Sequence, residues 1–99
     1  MNPTQHLASI DAPTAQAFQA LRAAVLAAGP LDERVSELVV TACFATTGHE
    51  ASFKVHARRL LAMQVPVAEI RQAVLLTFGA TTTFSDVSQA LRWIDELVA

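Results

Sequence analysis

Residues 37–56, ELVVTACFATTGHEASFKVH, are two helical stretches joined at a glycine. Glu37 is a carboxylate in the first turns of an apolar helix. Gly48 interrupts that helix, and a second one begins at His49 and carries Ser52 and His56. Residues three, four and seven apart fall on one helical face, so His49, Ser52 and His56 share a stripe. Two helices meeting at a short turn can bring Glu37 towards His56, making a carboxylate–imidazole pair at the edge of a core.

The first of the two helices is predicted from about Asp32 to Thr47. Val35, Leu38, Val39, Ala42 and Thr46 mark one face, while Val40, Cys43 and Phe44 make much of the opposite face apolar too. A helix that is apolar nearly all round is usually central in a fold or an assembly, which makes Glu37 the odd residue on it. The second helix is predicted over about 49–63. Its core stripe is Phe53, Ala57, Leu60 and Leu61; Glu50, Lys54 and Arg58 form the wet stripe, with Glu50 and Lys54 in the favourable i, i+4 order. His49, Ser52, His56 and Met63 lie beside the core stripe, where pocket-lining residues sit.

Before this pair, residues 1–10 are polar and aperiodic and are expected to form a loose arm. Residues 11–99 are expected to form the helical domain. Asp11 is a candidate N-cap, with Pro13 tolerated in the first turn. Phe18, Leu21, Val25 and Ala28 then mark an apolar face, and Gly29-Pro30 is expected to end that helix through a left-handed cap. After the pair, Pro66 can start a fourth helix with Ile70, Ala73, Val74 and Thr77 inward, and Glu69 near its start suits the helix dipole. Residues 79–83, Gly-Ala-Thr-Thr-Thr, break the pattern, and Thr83 with Asp86 suggests a capping box for a last helix. Phe84, Val87, Leu91, Ile94 and Val98 line one side of it; Trp93 lies off that stripe and is expected at a contact between subunits. The reading is all-α, a single-domain bundle of about five helices.

Hydrophobic residues make up 53% of the chain and charged residues 16%, more apolar material than one core of 99 residues needs. A homo-oligomer is therefore expected. The net charge of −2, with no basic run, gives no footprint for nucleic acid. No apolar run approaches the ~18 residues of a membrane span, and the first residues lack the pattern of a secretory signal. A soluble, cytoplasmic protein is expected. Cys43, the one cysteine, has no intrachain partner and reads as a small buried hydrophobe.

Several stretches together carry a family resemblance: LDERVSELV from Leu31, the glycine followed by a helix containing His56, AEIRQAVLLTF from Ala68, and the amphipathic last helix. Over residues 31–98 the chain resembles the carboxymuconolactone decarboxylase and alkylhydroperoxidase D-like family. In the peroxidase branch a Cys-x-x-Cys-x-x-x-His motif follows the glycine, with a glutamate one helix upstream. Aligned without gaps, His56 matches the motif histidine and Glu37 the upstream glutamate. His49 and Ser52 stand at the two cysteine positions. Peroxide reduction of that kind needs a peroxidatic and a resolving thiol, so thiol peroxidase activity is not expected. The decarboxylase branch does without the cysteine pair. Gln64 stands where the family often has a glycine, and Thr82 and Phe84 where a Gly-x-Pro pattern is common. The resemblance implies trimers or hexamers.

Chemically, an imidazole can take and give a proton near neutrality, and a carboxylate on one ring nitrogen fixes its tautomer. His56 with Glu37 is the candidate catalytic pair, and His49, Ser52 and Arg59 are candidate pocket residues. Arg34, Arg58, Arg59 or an arginine of a neighbouring subunit can hold a substrate carboxylate. The expected function is cofactor-free decarboxylation or isomerisation of a small organic acid or lactone. Other readings stay open. His56 can simply satisfy hydrogen bonds at a helix contact, and Glu37 can pair with Arg34. His49 can cap its helix. Glu37, His49 and His56 can be considered as a metal set, although a spacing of seven positions between the histidines is wide and no metal site is expected. A non-catalytic oligomer that binds an apolar acid or a protein partner is the main alternative.

Overall fold

Local capping chemistry sets where most of the helices begin. The computed structural model describes residues 2–99. It contains six helices: α1 (Pro3–Ile10), α2 (Ala12–Leu26), α3 (Glu33–Thr47), α4 (Glu50–Ala62), α5 (Val67–Leu75) and α6 (Phe84–Val98). Among the described residues there is no strand, only an isolated bridge between Phe78 and Thr82. The architecture is all-α, as expected, with six helices rather than about five.

The chain divides into two units, one ending at Leu31 and one running from Asp32 to Ala99. The first holds the additional helix, in the segment expected to be a loose arm. Its aperiodic composition hid a strong start signal. Asn2 Oδ1 accepts from the Gln5 N–H at 2.8 Å, and Gln5 Oε1 accepts from the Asn2 N–H at 2.9 Å. This reciprocal pair satisfies two backbone donors that a helix start otherwise leaves open. Asp11 then closes α1, its N–H bonded to the Leu7 carbonyl at 2.8 Å. It also caps α2 through its carboxylate, which accepts from the Thr14 N–H at 3.1 Å. Gly29 does not take the left-handed conformation expected of it; α2 ends earlier, at Ala27, in a right-handed geometry. The apolar stripe of α2 is solvent-facing: Phe18, Leu21 and Val25 are all about half exposed or more, and Ala15 is the buried residue of this helix.

The second unit contains the core. Asp32 caps α3 by accepting from the Val35 N–H at 2.8 Å, and Gly48, at φ 71°, ends it in the left-handed region that favours glycine. Phe53, Ala57 and Leu60 of α4 meet Ile70 and Val74 of α5 and Val87, Ala90, Trp93 and Ile94 of α6, with Ala45 of α3 joining them. Trp93 is therefore not the intersubunit contact expected from its place off the stripe. It is 4% exposed and packs on Phe53 at a ring separation of 5.4 Å. Phe84, expected on the inner side of α6, is 71% exposed because it stands at the first helical position, beyond the packed layer. Thr83 caps α6 by accepting from the Asp86 N–H at 3.3 Å, but Asp86 turns its carboxylate to the Thr83 hydroxyl rather than to the backbone, so only half of the expected box forms. On the surface, Lys54 bridges Glu50 and Glu96, and these carboxylates, Glu96 first, hold its ammonium above the ordinary lysine value.

The face of α3 turned inward also differs from the expected one. Its buried residues are Glu37, Thr41 and Ala45, one per turn. Of the stripe expected there, Val35, Leu38, Ala42 and Thr46 are only partly covered and Val39 is 52% exposed. A helix apolar on several sides offers alternative faces, and the packing of α4–α6 chose between them.

The end of α4 stores backbone strain. The Val65 N–H reaches the Leu60 carbonyl and the Gln64 N–H the Leu61 carbonyl, both at 3.0 Å. These paired bonds, with Leu60 and Val65 both buried, are a Schellman closure. It demands a left-handed residue at position 64, and Gln64 supplies it at φ 64°. A side chain costs energy in that region, where glycine does not. Gln64→Gly is expected to stabilise the protein by about 1 kcal/mol, read as a raised midpoint in urea with unchanged slope.

Candidate functional site

The hairpin of α3 and α4 brings Glu37 and His56 together across Gly48. His56 Nδ1 lies 2.6 Å from Glu37 Oε2, although the residues are 19 apart in the chain. Both side chains are largely covered, Glu37 at 10% exposed and His56 at 15%. An ionised Glu37 accepts from Nδ1–H, so the neutral imidazole carries its lone pair on Nε2. Among the described residues, Nε2 makes no hydrogen bond to the protein. The remaining Glu37 oxygen, Oε1, faces the Arg59 guanidinium at 3.5 Å. The carboxylate thus stands between an imidazole and a guanidinium contributed by successive turns of α4.

Phe44 completes the surroundings. Its ring lies nearly parallel to that of His56, with centroids 5.3 Å apart and planes at 26°. Stacking of this kind fixes the imidazole plane and keeps an apolar surface against one face of it. The sequence carried a signal for this residue, since Phe44 stands two turns after Glu37 on the same side of α3. Thr41, between them, is fully buried and its hydroxyl has no partner.

The other expected pocket residues are placed differently. His49 is exposed, and its Nδ1 lies 3.1 Å from the Thr47 hydroxyl. It stands at the N-cap of α4 but makes no side-chain cap bond, so its position rather than its imidazole starts the helix. Ser52 is half-buried. Arg59 is 58% exposed and turned to Glu37. Arg34 does not pair with Glu37; it forms its ion pair with Glu69 of α5, a turn that leaves Glu37 to His56 and Arg59. Among the described residues, no three of His, Cys, Asp and Glu are grouped to hold a metal ion, so Glu37, His49 and His56 do not form the metal set considered above.

Cys43 is the clearest departure from expectation. It is exposed rather than buried. It lines a groove of about 530 Å³ between α3 and α5, with Leu38, Val39 and Ala42 beside it and Ala73 and Leu76 opposite. This groove does not include Glu37, His56 or Arg59. Sequence periodicity missed it because the same α3 residues read as core.

An all-α fold whose helical hairpin joins a carboxylate to an imidazole across a glycine turn defines the class of protein. The family model of the carboxymuconolactone decarboxylase family matches residues 12–96. The chain belongs to this family. Comparison with curated proteins and with solved structures gave no significant match.

Proposed function

We propose that this protein is a cofactor-free acid/base enzyme, a decarboxylase or isomerase of a small organic acid or lactone. The observation that carries the proposal is the 2.6 Å bond from His56 Nδ1 to a nearly buried Glu37. A carboxylate so placed holds the ring in one tautomer and stabilises the imidazolium formed when Nε2 takes a proton. In an isomerisation, Nε2 removes a proton from the carbon beside a carbonyl. The C–H electron pair moves into a conjugated enolate, and the imidazolium returns the proton at the far carbon. In a decarboxylation, the C–C bond to the carboxylate breaks and carbon dioxide leaves. Its electron pair enters the conjugated system, and His56, protonated at Nε2 from solvent, gives that proton to the resulting carbanion. Arg59, partly exposed beside Glu37, is suited to hold a substrate carboxylate.

Glu37 acts in this scheme as the positioning residue for His56. Glu37→Gln retains an acceptor for Nδ1–H but removes the charge. Turnover is expected to fall at least about 10- to 100-fold, the size found for partners that orient a metal-bound imidazole. Steady-state assays across a panel of small unsaturated acids and lactones provide the check, and an unchanged kcat in the variant rules this role out.

We further infer a cytoplasmic homo-oligomer. No helix among the described residues is long and apolar enough to cross a membrane. Phe18, Leu21 and Val25 leave a stripe of α2 exposed that a second subunit can cover. The alternative, a binding protein without turnover, is favoured by one observation: the apolar groove beside Cys43 excludes the residues of the proposed reaction. Saturable ligand binding with no product across the same panel selects that reading.

A further inference from the structure

We infer that Arg59 couples the capture of a carboxylate ligand to the strength of the Glu37–His56 bond. The guanidinium that takes the ligand is the one that shares Glu37 with the imidazole, and its departure leaves that carboxylate to His56. The inference rests on the acid/base reading of His56 and adds how an acid readies that residue. Glu37 divides its two oxygens unequally. Oε2 lies 2.6 Å from His56 Nδ1, whereas Oε1 faces Arg59 Nη1 at 3.5 Å, beyond the ~3.2 Å reached by ordinary hydrogen bonds. The cover is unequal too: the His56 side chain is 15% exposed and that of Arg59 58%. One contact is short and shielded, the other long and wet, so the Arg59 contact is the one that exchanges. Arg34 and Arg71 are held more closely, by Glu69 and Asp95.

Arg59 stands three residues after His56 on α4, so the two side chains are neighbours on one side of the helix. Its planar fork of N–H donors matches a carboxylate, which two parallel bonds can hold better than Glu37 does through one long contact. Glu37 is only 10% exposed, so water replaces a departing guanidinium poorly. The charge of Glu37 then rests on the Nδ1–H of His56, and the ligand's own carboxylate adds a second negative charge nearby. Both favour a positively charged ring, the form His56 takes when Nε2 accepts a proton. A neutral ligand of the same shape supplies neither effect.

The test titrates butyrate and butyramide, alike in shape and different in charge, into the intact protein at one pH. Proton NMR follows the His56 Nδ1–H and the Arg59 side-chain N–H groups. Butyrate is expected to move both saturably, the His56 proton downfield as a strengthening hydrogen bond requires, and butyramide to move neither. In Arg59→Gln the His56 proton is expected to start downfield of its parent position and to stay there when butyrate is added. Coupling is reciprocal, so Glu37→Gln, which gives up the charge competing for Arg59, is expected to bind butyrate about two- to fivefold more tightly. The parent titration needs no variant, so it decides the matter even where a variant fails to fold. Butyrate that reaches Arg59 and leaves the His56 proton in place overturns the inference, as does butyrate acting no differently from butyramide. Turnover assays of His56→Ala judge the reaction separately. A stationary proton in an enzyme that needs His56 sinks the coupling alone; a moving proton in a protein that turns over none of the acids and lactones supports the coupling and sinks the reaction.

Discussion

Replacing His56 with alanine is expected to lower kcat by about 10²- to 10⁴-fold, the usual contribution of a positioned proton-transfer group. The size follows from the geometry. Nδ1 is committed to Glu37 at 2.6 Å, so in the proposed reaction Nε2 is the nitrogen that exchanges a proton with substrate. Removing the ring also leaves Glu37, 10% exposed, facing Arg59 alone. That lost hydrogen bond is expected to cost about 1–3 kcal/mol of stability, so the assay belongs below the lowered melting temperature. His56→Asn separates the two effects, since an amide can donate to Glu37 but cannot serve as a base. It should restore most of the stability and none of the turnover. Cys43→Ser should leave turnover unchanged, because Cys43 lines a groove that His56 and Glu37 do not reach. Turnover that persists in both His56 variants removes the acid/base mechanism.

Phe53→Ala is expected to destabilise the protein by about 3–5 kcal/mol. That is a large part of the ~5–15 kcal/mol typical of whole domains, and the variant should be substantially unfolded at modest temperatures. Phe53 has no exposed surface, and its ring lies 5.4 Å from that of Trp93. The contact joins α4 to α6 one turn before His56, so it also sets the position of the imidazole. A cavity at this point is not readily refilled, because the neighbouring Ala57, Leu60 and Ile94 are themselves fully packed. Equilibrium urea unfolding followed by circular dichroism measures the loss. A cost below about 1 kcal/mol would show that α4 and α6 are held together elsewhere.

The features legible in the sequence are those whose causes are local. Asp11 and Thr83 cap helices because a short oxygen-bearing side chain meets a backbone N–H three residues on. Gly48 ends α3 because the chain there turns left-handed. The same turn made the meeting of Glu37 and His56 readable, since helix length and one glycine largely set their separation. Gln64, noted as standing where a glycine is common, proves to hold a glycine-like conformation at φ 64°.

Other features were decided only when the helices packed. The helix α1 is not among these: its reciprocal cap between Asn2 and Gln5 is local in cause, and went unread because the segment has no hydrophobic period. Trp93 could equally face a neighbour or the core, and Phe53 settled it. Cys43, Val39 and Ala42 lie on a helix apolar around most of its circumference, so periodicity assigned no unique inner face. Three-dimensional packing turned Glu37, Thr41 and Ala45 inward and left Cys43 on a groove. Capping depends on neighbours within a turn and is written in the chain itself. The choice of a buried face depends on surfaces brought from residues far away, and only the tertiary structure makes it.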